Sequence, residues 1–429
     1  MSVIFSKVKN LKGEINIPGD KSISHRSVML GALAKGTTEV EHFLDAADCN
    51  STIKCFKAMG IEIEKSDEDR VLIHGKGLHG LKESEQALNV GNSGTTIRLL
   101  SGILSAQEFN SRISGDDSIC RRPMGRIITP LTMMGADIKS KENNDCAPLF
   151  INGKKLHGVD YISPIASAQV KSAILFAGMY AEGETSVTEP YISRNHSEKM
   201  ISYFGGNIRQ IGTKCIISPY PHLEGQKVIV PGDISSAAYF MVAGLITEGS
   251  EILVKNVGIN PTRDGLIEVI KEMGGNIELL NMKDEMEPCA DILCKSSNLK
   301  GITIGGSIIP RLIDEIPIIA VMACFAEGQT IIKDAQELKV KESNRIDVIV
   351  ENLQRMGADI TPTDDGMIIN GGKPLKGAVL GSRHDHRVAM SFAIAGLGAE
   401  GKTEIIGSEC VNISYPAFYR DLESLMQKE

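Results

Sequence analysis

RMGADI, residues 355–360, ends a helical pattern on a glycine and starts an alternating one, and the chain repeats the phrase four more times. KAMGIEI stands at 57–63, MMGADI at 133–138, YFGGNI at 203–208 and EMGGNI at 272–277. Each reads as the last turn of a helix stopped by glycine, followed by a strand. Five near-identical endings define a repeat, and a repeat decides the fold. Working outward, six leads open on a glycine: LKGEINI (Gly13), LHGLKES (Gly80), LHGVDYI (Gly158), LEGQKVIV (Gly225), LKGITIG (Gly301) and LKGAVLG (Gly377). A polar turn follows each lead, then an apolar run with helical spacing, such as HRSVMLGALAKGTTEV, SSAAYFMVAGLITEGSEI or RVAMSFAIAGLGAEGKTEI. The unit is therefore strand, helix, strand, helix, strand. Its period of roughly 70 residues exceeds the roughly 20 to 50 of solenoids, so six units are expected to group into two domains of three. The first helix of each unit is apolar nearly all round, with Ala and Gly permitting close approach, and should be buried. The second carries Lys, Glu and Asn and should face solvent.

One tetrapeptide, IPGD at 17–20, returns only as VPGD at 230–233. Two Pro-Gly breaks so placed read as two strands crossing one hinge. The expected domains are 20–231, and 1–19 combined with 232–429, in an α/β fold. Each domain is long enough to bury its own core.

Composition narrows the function. The chain has 429 residues, a formal net charge of −8 and a pI near 5.7, which argue against coating nucleic acid or anionic membrane. Any basic cluster must then be local and purposeful. Nine cysteines are scattered without a C-x-x-C pair and read as reduced cytosolic thiols, mostly buried. No run of about 18 apolar residues is present, so no membrane span is expected, and MSVIFSKVKNLKGEINIPG resembles neither a signal nor a transit peptide.

The unusual residues sit at equivalent turns, each feeding a buried helix. They are Lys21, Ser22, Ser24 and Arg26; Asn92, Ser93, Gly94, Thr95 and Arg98; Ser167, Gln169 and Lys171; Ser235 and Ser236; Asp314 and Glu315; and Asp385, His386 and Arg387. Helix N-termini attract anions through unpaired N–H groups and the macrodipole. Further cations stand in CRRPMGR (Arg121, Arg122, Arg126), SRNHSEK (Arg194) and KVKESNR (Lys339, Lys341, Arg345). Several arginines together suit a small ligand bearing carboxylate and phosphate. Glu342 is expected on one helical turn with Lys341 and Arg345, as an acid or base among cations. Taken singly, KVKESNR would be a solvated helix face, Ser22 and Ser24 helix caps, Asp314 an N-cap, and HDH at 384–386 a metal pair with no third ligand near in sequence. Their joint occurrence at repeat-equivalent turns is what the single readings do not explain. No Walker or G-x-G-x-x-G motif points to a nucleotide.

GDKSISHRS, GNSGTTIRLL, GDDSICRRPMGR, SAQVKSA, SRNHSEKM, PGDISSA, DEIP, KVKESNRI and DHRVAMS, in this order along nearly the whole chain, resemble the shikimate-directed enolpyruvyl transferases. The resemblance implies a two-domain inside-out α/β barrel, each domain three βαβαββ units, closing like a screw cap. It implies a monomer that joins phosphoenolpyruvate to the 5-hydroxyl of shikimate 3-phosphate, in the pathway to chorismate and aromatic amino acids, with no metal or organic cofactor. By resemblance Ser22, Arg26, Ser167 and Arg194 bind the phosphorylated shikimate, with Gln169 near its ring, and Ala168 and Lys341 are also substrate-binding residues. Lys21, Arg122, Arg345 and Arg387 hold the phosphate and carboxylate of phosphoenolpyruvate, with Asn92 and Gly94 lining that pocket. Asp314 takes the hydroxyl proton, and Glu342, with Lys341 and Lys21, manages protonation at the methylene carbon. Two features depart from the pattern or compete with it. VNISYPAFY puts Ile413 and Ser414 where many members have Lys-Thr or Lys-Ser. Cys120 lies where the UDP-N-acetylglucosamine branch carries a loop acid, but that branch opens with Gly-Ala-Lys-Asn where this chain has GDKS.

Overall fold

The glycines that close the five helical phrases all adopt the left-handed conformation: φ is 86° at Gly60, 97° at Gly135, 101° at Gly205, 82° at Gly274 and 84° at Gly357. A side chain there would be strained, which is why the same residue recurs at each helix end. In the computed structural model, which describes residues 1–66, 69–141 and 144–426, these glycines terminate the second helices. Those helices are Ala47–Ala58, Gly125–Met133, His196–Tyr203, Gly265–Glu272 and Arg345–Arg355.

The chain divides into two compact units, Gly19–Val230 and Met1–Pro18 with Pro231–Glu429. Within Gly19–Val230 three four-stranded sheets share one order. In the second, Leu88–Asn89 runs parallel to Asn110–Ser114, which pairs antiparallel with Leu149–Asn152, and that strand with Asp137–Ser140. The third repeats this with Asp160–Ile162, Thr185–Thr188, Lys214–Ile217 and Ile208–Ile211. In the first, the leading strand is Lys227–Ile229, from the far end of the unit, set parallel to Lys35–Glu41. The strand Lys12–Asn16, which precedes Lys35–Glu41 in sequence, instead leads the Glu251–Gly258 sheet of the other unit. That unit has two four-stranded sheets and a three-stranded one, Ser2–Ser6 with Lys402–Ile406 and Val379–Gly381. The residue grammar alone undercounts by one strand, because the segment after each closing glycine folds back as a hairpin, as in Glu62–Lys65 with Val71–Lys76.

The apolar first helices are buried as their composition requires. Ile234–Ile246 is buried from Ile234 to Leu245, and Ile316–Phe325 from Ile316 to Cys324. These two and His386–Gly398 pack against one another, with the sheets outside them. Lys21–Leu33, Gly94–Leu104 and Ala168–Gly178 are the matching helices of the other unit. A methyl group on Gly102 would stand 2.1 Å from the Ala173 carbonyl oxygen, so glycine there lets two of them touch backbone to backbone. Second helices are amphipathic: in Arg345–Arg355 the residues Ile346, Ile349 and Leu353 face inward. Seven of the nine cysteines are buried, and Cys120 and Cys146 are partly exposed. Among the described residues no helix is long and apolar enough to cross a membrane.

Candidate active-site residues

Each buried helix begins at a polar cap, and the caps carry the candidate residues with them. In Gly19–Val230, Asp20 caps Lys21–Leu33 by accepting from the Ile23 N–H at 2.9 Å, so Ser22 is not the cap and stands in the first turn. Lys21 pairs with Asp48 at 3.2 Å. Arg26, 3% exposed, donates from Nη1 to the Ser22 carbonyl at 3.0 Å, from Nε to Ser197 Oγ at 2.7 Å and from Nη2 to Ser172 Oγ at 2.9 Å. The first and third helices and the start of His196–Tyr203 therefore meet at one guanidinium. Ser93 caps the second helix by accepting from the Thr96 N–H at 3.1 Å. Just beside Gly94, Arg122 donates to Asn92 Oδ1 at 2.7 Å while Asn92 Nδ2 donates to Asp116 at 2.8 Å. Gln169 accepts from Arg98 and donates to Thr95 Oγ1 at 3.1 Å, tying the second and third helix starts together.

Ser167 caps Ala168–Gly178, accepting from Val170 N–H at 3.5 Å, and its own N–H donates to Glu189 Oε1 at 2.8 Å. Behind it lies a buried triad: the Lys171 ammonium is 2.9 Å from Glu189 and 2.7 Å from Glu198. Burial opposes the charge on Lys171, but Glu198 and Glu189 together outweigh it and hold the ammonium above the usual lysine range.

In the other unit one guanidinium organises three carboxylates. Arg345, 1% exposed, reaches Asp385 at 2.8 Å through Nε and 3.3 Å through Nη2, Glu342 at 2.7 Å and Asp314 at 3.3 Å. Asp314 also faces Lys341 at 3.3 Å and Arg387 at 3.7 Å. Asp385 caps His386–Gly398, accepting from the Arg387 N–H at 3.0 Å. Burial works against both arginines. Asp385, Glu342 and Asp314 around Arg345, and Asp314 foremost around Arg387, more than offset it, so both remain charged. Because Asp314 and Glu342 share Arg345, a change of charge on one is felt by the other.

One sequence expectation changes here. Lys341, Glu342 and Arg345 do not lie on one helical turn. Asn344 caps the helix, which starts at Arg345, and Glu342 reaches back to it from the preceding segment. The N-cap reading of Asp314 taken singly does not hold, since the helix begins at Ile316 with Glu315 in the cap position and Asp314 faces the cations. Lys339 and Arg121 are exposed and join neither cluster. Sequence reasoning missed Glu189, Asp48, Ser172 and Ser197, and also Arg263, which donates to Asp233 at 3.0 Å and Ser235 at 2.7 Å. None of these stands in a cap position, and although Ser172 and Ser197 lie inside SAQVKSA and SRNHSEK, only their partners single them out.

The profile of the family described as EPSP synthase (3-phosphoshikimate 1-carboxyvinyltransferase) matches residues 5–422. The chain belongs to the EPSP synthase family. A Thermoanaerobacter sp. (strain X514) protein named 3-phosphoshikimate 1-carboxyvinyltransferase is 58% identical over 426 residues, covering 99% of this chain and all of that one. The protein of the same name from Bacillus subtilis (strain 168) is 53% identical over 424 residues, covering 98% of this chain and 99% of its own. Among solved structures, EPSP synthase from Acinetobacter baumannii is 47% identical with a TM-score of 0.89, over 99% of this chain and 98% of that one. The two-domain α/β fold expected of an enolpyruvyl transferase is thus the fold of the EPSP synthase family, reached from repeats and from similarity alike.

Proposed function

We propose that the chain transfers the carboxyvinyl group of phosphoenolpyruvate to the 5-hydroxyl of shikimate 3-phosphate, giving 5-enolpyruvylshikimate 3-phosphate and phosphate, as a cytoplasmic monomer. Ser22, Arg26, Ser167, Ala168, Gln169 and Arg194 bind the phosphorylated shikimate. Lys21, Asn92, Gly94, Arg122, Lys341, Arg345 and Arg387 receive phosphoenolpyruvate. In the addition step the 5-oxygen bonds to C2 of phosphoenolpyruvate as Asp314 takes the hydroxyl proton, while C3 gains a proton from Glu342 with Lys341 and Lys21 in support. In the elimination step C3 gives up a proton, the C2–O bond to phosphate breaks, and the double bond is restored. Proton delivery on one side and removal on the other require two titratable groups. The arginines and lysines stabilise the phosphate as it leaves.

The observation that carries this reading is the sharing of Arg345 by Asp314 and Glu342 at 3.3 and 2.7 Å, since a protein built only to hold anions would gain nothing from two carboxylates on its cation. The test is phosphate release from phosphoenolpyruvate with shikimate 3-phosphate as acceptor and UDP-N-acetylglucosamine in parallel. Release with the shikimate acceptor alone, abolished in Asp314→Ala and Glu342→Ala, is expected. Release that survives both substitutions would overturn the assigned roles.

A further inference from the structure

Glu189 lies outside every motif of the sequence, yet one carboxylate there accepts from three donors. Oε1 takes the Ser167 N–H at 2.8 Å, and Oε2 takes the Ser193 hydroxyl at 2.8 Å and the Ser193 N–H at 3.3 Å. It is 3% exposed and pairs with Lys171 at 2.9 Å. Lys171 in turn holds Glu198 in the first turn of His196–Tyr203 and donates to the Ser193 carbonyl at 3.3 Å. We infer that Glu189 is the positioning residue of the shikimate-phosphate subsite, a single buried carboxylate that sets Ser167 and the Ser193–Arg194 segment in register with each other. This inference rests on the proposed assignment of Ser167 and Arg194 to that subsite.

Three considerations lead there. A buried charge triad is weak evidence for stability, because apolar side chains of similar volume often hold a core as well or better. An apolar set could not accept the hydrogen bonds from Ser167, itself a proposed ligand contact, and from Ser193, the neighbour of another, Arg194. The Ser167 amide is also committed to Glu189, which leaves the hydroxyl as the group that meets ligand. Lys171 offsets one charge of the two carboxylates it holds, which lessens the repulsion of an anion beside them.

The variant that isolates the role is Glu189→Gln, which keeps shape and loses charge. Its amide can accept on one side only, so either Ser167 or Ser193 faces a donor in place of an acceptor. Hydrogen bonds to charged groups are strong enough that the Kd and KM for shikimate 3-phosphate should rise about tenfold or more. Values of kcat and the KM for phosphoenolpyruvate should stay within roughly twofold, the pattern of lost binding that is not lost in the transition state alone. Ser193→Ala, which removes one bond and leaves the triad whole, should give a smaller rise of roughly threefold in the same constant. That second variant serves if Glu189→Gln fails to fold. The readouts are calorimetric titration of shikimate 3-phosphate into the full chain, steady-state kinetics and a thermal melt. A lower melting temperature with both KM values unchanged would mean a merely structural triad and sink the inference, as would unchanged titration curves in both variants. If the parent chain bound no shikimate 3-phosphate, the subsite assignment itself would fail and this inference with it.

Discussion

Replacing Arg345 by lysine keeps the charge and removes the planar fork, so it asks whether geometry or charge organises the carboxylates. The guanidinium spans Asp385, Glu342 and Asp314 through four contacts of 2.7 to 3.3 Å. A lysine ammonium is a compact point with three donors and can sit on one of these carboxylates, at most two. Losing two charge-assisted hydrogen bonds at roughly 1.5–3 kcal/mol each would amount to about 3–6 kcal/mol. The retained positive charge offsets part of this, which favours the lower end. About 3 kcal/mol in the transition state corresponds to roughly a hundredfold in rate. The ground state is affected too: Asp385 caps its helix whatever stands at 345, so the fold should survive with a loss of about 2 kcal/mol, less than the 3–5 of a buried charge left without any partner. The assay is phosphate release at saturating phosphoenolpyruvate and shikimate 3-phosphate, with a urea titration of the same preparation. The expected result for Arg345→Lys is kcat reduced about a hundredfold, a raised KM for phosphoenolpyruvate and a lower urea midpoint. Activity within about fivefold of the parent would refute the reasoning, because it would mean that no contact specific to the fork reaches the transition state.

Three further outcomes are expected. A methyl group added by Gly94→Ala would stand 3.1 Å from Arg98 Nη1 and 3.2 Å from Arg122 Nη1, both ends of flexible side chains. The KM for phosphoenolpyruvate should rise severalfold while the melting temperature and the KM for shikimate 3-phosphate hold, and a change confined to the shikimate constant would contradict the pocket assignment. His25 is fully buried, with Nδ1 2.7 Å from Thr52 Oγ1 and, among the described residues, no hydrogen-bond partner for Nε2; burial first, then the charges of Lys21 and Arg26, hold its pKa well below the ordinary histidine value. Its native form binds fewer protons than the unfolded one, so stability is full above the unfolded pKa of about 6.5 and declines as pH falls below it. Urea midpoints between pH 7 and 5 should drop less steeply in His25→Asn, and parallel curves would exclude this histidine as the cause. Cys120 Sγ rests 3.7 Å from the Gly115 carbonyl and 3.8 Å from Ser114 Oγ, so Cys120→Ser should keep full activity in the phosphate-release assay; a large loss of kcat would favour a thiol acid.

Much of this was legible because it depends on local rules. Glycine closes a helix in the left-handed conformation wherever it occurs, so Gly60, Gly135, Gly205, Gly274 and Gly357 announced the repeat without any tertiary information. Helices apolar on every side must be buried, which located Ile234–Ile246 and Ile316–Phe325. Residues in cap positions ahead of such helices are carried to helix starts by the same logic, and that is where Ser167, Gly94 and Arg387 stand. The extra hairpin strand of the five units that close on glycine was not legible in the residue pattern itself, since two short strands around a turn carry the same alternation as one longer strand.

What the sequence by itself determined was the repeat, the buried helices and the cap positions, because each follows from the conformational preference or hydrophobicity of residues close together in the chain. Which strand leads which sheet was decided only by tertiary pairing: Lys12–Asn16 joins Glu251–Gly258, and Lys227–Ile229 joins Lys35–Glu41. The partners of the charged groups were decided there as well. Arg345 meets Asp385 from 40 residues away and Arg26 meets Ser197 from 171 away. Side-chain hydrogen bonds are short-ranged and directional, so they can be assigned only once packing has fixed the donors and acceptors in space.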